Sequence, residues 1–325
     1  MNKQQLASLI WDTCDDLRGS ISAVEYKDVI LGLIFYRFVS ENEVSFLIEQ
    51  EWTMDIMAEE LTEEDSTTVD QCKEHLGYFI SYVNLFSTWK NNLKDFSVSN
   101  VTDALNAFVR NIDGRDNPDG KNHQKLFKEI FKSLSDKLSK IGSISEQTTH
   151  LKRVIKVVAR IPMDGKQGYD VLGFIYAFLL KNFASNSKKD GEFYTPHEIS
   201  VLMPEIIAHH LKDRERINIF DPTSGSGSLL INIGQSVQKY LQDSGNITYY
   251  AQELIQETYN LTRMNLVMRG VSTQNIKVRR GDTLAKDWPY FEDGDDENSY
   301  KYTPVDCVVS IIWSRNVGIQ DVHYD

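Results

Sequence analysis

The sequence predicts an α/β protein in two parts. An all-helical domain spans residues 1–160, and an incomplete, Rossmann-like parallel sheet with helices on both faces spans residues 161–325. Three observations lead to that expectation. The front half carries apolar residues at helical spacing and almost no strand signal. The second half carries short β-branched and aromatic runs that end in acidic residues. The first of those runs leads into a Gly-x-Gly turn and an apolar helix start, the grammar of a nucleotide-type cofactor site at the carboxyl end of a first strand.

The helical elements follow from periodicity. Trp11, Cys14, Leu17 and Ile21 form a short stripe, interrupted near Gly19-Ser20. The longest apolar run, Val29 to Val39, contains Arg37 and is far short of a membrane span, so it reads as a buried helix. Val101, Ala104, Leu105, Phe108 and Val109 follow one helical face. Leu126, Phe127, Ile130, Phe131, Leu134, Leu138 and Ile141 do the same, with Gly142 placed as a C-cap. Asn111 to Asn122 is a loop by its turn chemistry. Acids crowd Glu49 to Asp70, as a solvated face or a partner-facing surface. This half shows no chemistry of its own.

Ser185 to Gly191 is a polar connector into Glu192-Phe193-Tyr194-Thr195-Pro196. Thr195-Pro196 can begin the helix that carries Val201, Leu202 and Ile206. The aromatics ahead of it either cover a bound cofactor or pack under a loop. A strand from Ile217 to Phe220 then meets Asp221-Pro222-Thr223-Ser224-Gly225-Ser226-Gly227-Ser228. Glycine there permits positive φ and close approach of a ligand, although an ordinary glycine turn has the same composition. A third glycine at dinucleotide spacing is missing, and so is a Gly-Lys-Ser/Thr for a triphosphate. S-adenosylmethionine fits better, because its sulfonium and amino group are cationic and Asp221 is a carboxylate. A second strand, Ile247 to Glu253, ends in an acid suited to two ribose hydroxyls. A third, Ile276 to Arg280, leads to Gly281-Asp282, where an Asp can accept from an adenine amino group. Val305 to Ser310 reads as a fourth strand.

Composition excludes some functions. A net charge of −12 and a pI near 5.1 do not suit a protein that holds DNA by itself through a basic surface. Cys14, Cys72 and Cys307 are too dispersed for a disulfide framework or a zinc site, which fits a reducing cytoplasm. His209-His210 point to different helix faces, and with Asp213 they make a weak metal site. No signal peptide is visible at Met1 to Gln5, and no membrane association is expected.

Taken in order, residues 192–196, 221–227, Gln252-Glu253 and Gly281-Asp282-Thr283-Leu284 resemble the motifs of one family. That family is the modification subunit of type I restriction–modification systems, adenine-N6 DNA methyltransferases. Asp16 to Ser20, Tyr26-Lys27, Leu31 to Phe35, and Asn265-Leu266 with Gly270 are similar to the family as well. The resemblance implies that Glu192, Phe193, Tyr194, Thr195, Pro196, Asp221, Gly225 and Gly227 surround the methionine moiety. It implies that Glu253 holds the ribose and Asp282, with Thr283 and Leu284, the adenine side. Ser224, Ser226 and Ser228 fit the small-residue requirement of the turn, and Thr223 belongs with Ser224 and Ser226 to the implied cofactor-binding set. The implied reaction is methyl transfer to N6 of an adenine flipped from duplex DNA. Implied partners are a specificity subunit, a restriction subunit and a second modification subunit, in the cytoplasm.

The chain departs from that pattern after the fourth strand. The family carries Asn-Pro-Pro-Tyr or Phe there, and this chain reads Ile311-Ile312-Trp313-Ser314. Trp313 can stack on a base, but Ile311 accepts no hydrogen bond, a loss of about 2–4 kcal/mol of transition-state stabilisation. The catalytic residue is therefore unassigned. The expectation is a truncated or frame-disrupted subunit, or a shortened homologue, that binds cofactor weakly and does not methylate DNA alone. Two alternatives stand beside it: a non-catalytic assembly module of the same complex, and a methyltransferase for small molecules or proteins. The fourth strand is expected to form an unpaired, hydrophobic edge.

Overall fold

The computed structural model describes residues 1–15, 23–115, 118–139, 142–163, 166, 171, 174–175, 178, 197–241, 246–285 and 304–311. The chain divides into two compact units: Met1–Ala184 with Val267–Gln274, and Ser185–Leu266 with Asn275–Asp325.

The first unit is helical among its described residues. Helices α1 (Lys3–Asp15), α2 (Ala23–Glu49), α3 (Met54–Glu60) and α4 (Ser66–Leu76) precede α5 (Phe86–Asn91), α6 (Val98–Arg110), α7 (Pro118–Leu138) and α8 (Ile144–Val158). The apolar run from Val29 to Val39 lies within α2, and Ile30, Leu33, Ile34, Phe35, Tyr36 and Val39 are fully buried. Helices α5, α7 and α8 pack against α2. Aromatic rings fill the centre: Tyr36 stacks on Trp89 at 4.7 Å, Phe35 on Phe131 at 5.6 Å, and Phe108 tilts onto Phe131 at 4.4 Å. Arg37 belongs in this run because it does not stay unpaired. Its Nη1 donates to the carbonyls of Val158 at 2.7 Å and Ile161 at 2.8 Å, closing the end of α8.

Two sequence expectations are corrected here. The segment Asn111 to Asn122 is not all loop, since α7 begins at Pro118; a proline is tolerated in the first helical turn, where its missing N–H has no partner to lose. Nor is Gly142 the cap of α7, which ends at Leu138. Gly142 has φ of 41° and precedes Ser143, whose reciprocal capping box with Glu146 starts α8. The acids between Glu49 and Asp70 are mostly exposed, and Asp65 caps α4 by accepting from the Thr67 N–H at 3.1 Å.

The second unit contains α9 (His197–Leu211), β1 (Ile217–Asp221), α10 (Ser228–Gln238), β2 (Ile247–Glu253), α11 (Gln256–Met268), β3 (Ile276–Arg280) and β4 (Cys307–Val308). The strands form one sheet of order β3-β2-β1-β4, and every pair is parallel. Helix-length connections are what parallel neighbours require. The register sets Asp221 beside Ala251 and Glu253 beside Arg280, so all three strand tips lie at one end of the sheet. Helix α9 packs on α10 and buries Ala208 and Leu211, whereas Leu202, Ile206, His209 and His210 face outward.

The fourth strand is shorter than Val305 to Ser310. Only Cys307 and Val308 pair as strand, flanked by bonds from Asp306 N–H to the Asn218 carbonyl and from Val309 N–H to the Phe220 carbonyl, each 2.9 Å. The side chains of Asn218 and Asp306 complete the approach by bonding main-chain groups of Pro304 and Asn218. Val308 is 60 % exposed on this outer strand.

Candidate functional site

The site grows from the alternation of β1. Ile217, Ile219 and Asp221 share one side of the strand, so the period that buries two isoleucines also buries the acid. Asp221 is 2 % exposed. Burial raises its carboxyl pKa to about 7; the negative charge of Glu253 pushes the same way, against the hydrogen bond from the Thr223 N–H at 2.9 Å. Two contacts pin the Asp-Pro-Thr corner. Thr283 Oγ1 donates to the Pro222 carbonyl at 2.5 Å, and Thr223 Oγ1 lies 2.7 Å from Ser310 Oγ. The corner is thus tied to the chain leaving β3 and to the chain leaving β4.

The turn itself rises over the tip of β2. Ser224 N–H donates to the Gln252 carbonyl at 3.1 Å, and Gly225 N–H donates to Glu253 Oε2 at 2.9 Å. Glu253 Oε1 accepts from the Ile255 N–H at 3.0 Å, while its carbonyl accepts from the Gly281 N–H at 3.0 Å. That last bond places Gly281-Asp282 next to Glu253. Asp282 Oδ1 in turn accepts from the Leu284 N–H at 3.0 Å, and the Leu284 side chain is exposed, as is that of Leu254.

The two glycines differ in what they do. Both have positive φ, 55° at Gly225 and 75° at Gly227. A Cβ at Gly227 would lie 3.1 Å from the Thr262 methyl, so that glycine serves packing on α11. A Cβ at Gly225 would meet nothing within 4 Å among the described residues. Its open side leaves room for a ligand against the backbone. Two carboxylates beside the turn oppose a phosphate and favour a cationic or hydroxyl-rich group.

The structure therefore brings together Asp221, Thr223, Ser224, Gly225, Ser226, Gly227, Glu253, Asp282, Thr283 and Leu284 at one end of the sheet. Residues 192–196 and Trp313 lie outside the described residues. Ile311 is half-buried at the exit of β4, next to Ser310. Sequence reasoning missed Ile255, Ser310 and Thr262. Thr262 had a visible signal: Thr258, Thr262 and Asn265 are polar residues at helical spacing on α11, and all three are buried.

Residues 167–312 match the family model described as N-6 DNA Methylase, and residues 6–158 match the HsdM N-terminal domain. The chain is 31 % identical over 322 residues to the type I restriction enzyme MpnII methylase subunit of Mycoplasma pneumoniae, covering 94 % of this chain and 58 % of that protein. It is 27 % identical over 299 residues to the MjaVIII methylase subunit of Methanocaldococcus jannaschii, covering 90 % and 45 %. The chain thus spans about half the length of the curated relatives it matches. Among solved structures, the type I restriction–modification methyltransferase subunit of Streptococcus thermophilus superposes with a TM-score of 0.70 at 27 % identity, covering 95 % of this chain and 63 % of that one. The architecture is an α/β methyltransferase fold behind a helical N-terminal region.

Proposed function

We infer that the chain, which belongs to the methylase subunits of type I restriction enzymes, uses its second unit to bind S-adenosylmethionine at the tips of β1, β2 and β3. The observation that carries this reading is three acidic strand tips around a single glycine turn left open at Gly225. In this reading Asp221 faces the cationic methionine end, Glu253 accepts from the ribose hydroxyls, and Asp282 with Leu284 meets the adenine. Thr223, Ser224, Ser226 and Gly227 shape the turn, Thr283 braces its corner, and residues 192–196 cover the methionine moiety.

The reaction we propose for the assembled enzyme is methyl transfer to N6 of an adenine flipped out of duplex DNA. A specificity subunit supplies target reading, which suits a chain of net charge −12, and a restriction subunit and a second modification subunit complete the assembly in the cytoplasm. Ile311 limits what this chain does. Its side chain stands where the resemblance places an amide that accepts from the adenine amine, and an isoleucine leaves that contact unmade. We therefore propose that this chain holds cofactor weakly and does not by itself pass the methyl group to DNA. The same residue favours a second role, assembly of the complex through the helical unit.

The test uses the full chain, tritiated S-adenosylmethionine and duplex DNA, with and without a specificity subunit. Label retained by the protein but not passed to DNA is expected. Transfer above background would overturn the impairment, and no retained label at millimolar cofactor would overturn the cofactor reading. Capture of the specificity subunit that survives Asp221→Ala and Glu253→Ala would support the assembly role.

A further inference from the structure

We propose that Thr262 and Asn265 are positioning residues, holding the glycine turn in the shape that the cofactor's methionine end requires; the proposal rests on the cofactor reading above. Neither side chain reaches a ligand, since Thr262 is 0 % and Asn265 1 % exposed. Both instead bond the turn from behind. Thr262 Oγ1 donates to the Gly225 carbonyl at 2.8 Å, and Asn265 Nδ2 donates to the Ser226 carbonyl at 2.9 Å. Thr262 has a single hydroxyl proton. With that proton on the Gly225 carbonyl, the 3.0 Å contact with Ser224 Oγ is donated by Ser224. The Thr262 methyl also backs Gly227.

Consecutive residues 224 to 227 are thereby fastened to one helix. The turn needs such fastening because its two glycines carry little conformational preference of their own. Gly225 is the position where direction matters most. Its open side faces the space left for the ligand, so rotation of the Gly225–Ser226 peptide, whose carbonyl Thr262 holds, would disturb that space, while the bond from the Gly225 N–H to Glu253 belongs to the preceding peptide. Thr262 and Asn265 lie one turn apart on α11, and together they grip the successive carbonyls of Gly225 and Ser226. A buried hydroxyl and amide with backbone partners also resist loss, because removing either takes a donor from a half-buried turn carbonyl.

The experiment measures, by isothermal titration of the full chain, dissociation constants for two ligands: S-adenosylmethionine and adenosine. Adenosine lacks the methionine end and relies on the β2 and β3 tips. Thr262→Val keeps the shape and removes the hydroxyl; Asn265→Ala removes the amide; Thr262→Ser keeps the hydroxyl. Thr262→Val and Asn265→Ala should each weaken S-adenosylmethionine about tenfold and adenosine less than about twofold, with Thr262→Ser close to the parent. Equal affinity of parent and variants for S-adenosylmethionine overturns the proposal, as does equal loss for both ligands. Should Thr262→Val fail to fold, Asn265→Ala carries the same comparison. A parent chain that binds neither ligand overturns the cofactor reading itself, an outcome distinct from a parent that binds and variants that match it.

Discussion

Glu43 in the helical unit and Asp221 in the sheet unit are both buried carboxyls with pKa values pushed upward by burial. Glu43 Oε1 accepts from the Ile80 N–H at 3.0 Å, its Oε2 has no hydrogen-bond partner among the described residues, and Tyr36, Cys72 and Tyr78 stand near it. Burial holds its carboxyl well above the usual range, inside an aromatic core. Asp221 is raised only to about 7 and sits one turn from Gly225, where the backbone is open. A buried acid sealed in a core serves structure. A buried acid beside open backbone, with a second carboxylate adjacent, is placed where a bound cation would favour its charged form.

That contrast can be broken or sharpened in four ways. The largest effect belongs to the helical core: Phe131→Ala removes a ring shared with Phe35, Tyr36 and Phe108, and should cost about 3–5 kcal/mol, read from urea unfolding followed by circular dichroism. A smaller loss would mean the aromatic cluster is less tightly packed than these contacts imply.

Asp221→Asn addresses the other side. The folded chain keeps a proton on Asp221 that the unfolded chain, titrating near 4, has released; the stability from that proton is full below pH 4 and is lost as pH rises towards and through about 7. The asparagine variant should lack that component, on the order of 3 kcal/mol between pH 4 and pH 8. Urea midpoints measured across that range on both proteins check it, and parallel profiles would contradict it.

Next comes Gly234→Ala on α10. An added Cβ would fall 2.0 Å from the Tyr249 hydroxyl and 2.8 Å from its ring, so this glycine lets the helix lie on β2. About 1–3 kcal/mol is expected in thermal unfolding, with no direct change in the strand tips. The smallest effect is linkage. Cationic ligand binding favours ionised Asp221, so proton release should accompany S-adenosylmethionine binding below about pH 7 and fade above it. Titrations in buffers of different ionisation enthalpy detect that proton.

Much of this was legible from residue types. Strands β2 and β3 follow β-branched runs with their expected limits, and Asp221, Glu253 and Asp282 fall at adjacent tips because the acids terminate those runs. The apolar run around Phe35 is buried as its length and composition dictate. What stayed hidden depends on contacts distant in sequence. The pairing of Arg37 with α8 carbonyls, the unmet oxygen of Glu43 and the grip of Thr262 on Gly225 leave no local pattern at the partner residue. The limits of α7 were misread because Asn111 to Asn122 is rich in turn formers, and the proline within it also suits a helix start.

A crystal structure of the full chain with S-adenosylhomocysteine tests the central claim most directly. The account predicts ribose hydroxyls on Glu253, the adenine amino group at Asp282, and the amino-acid end beside Asp221 and Gly225. Density for the ligand elsewhere on the chain, with those three carboxylates untouched, would contradict it.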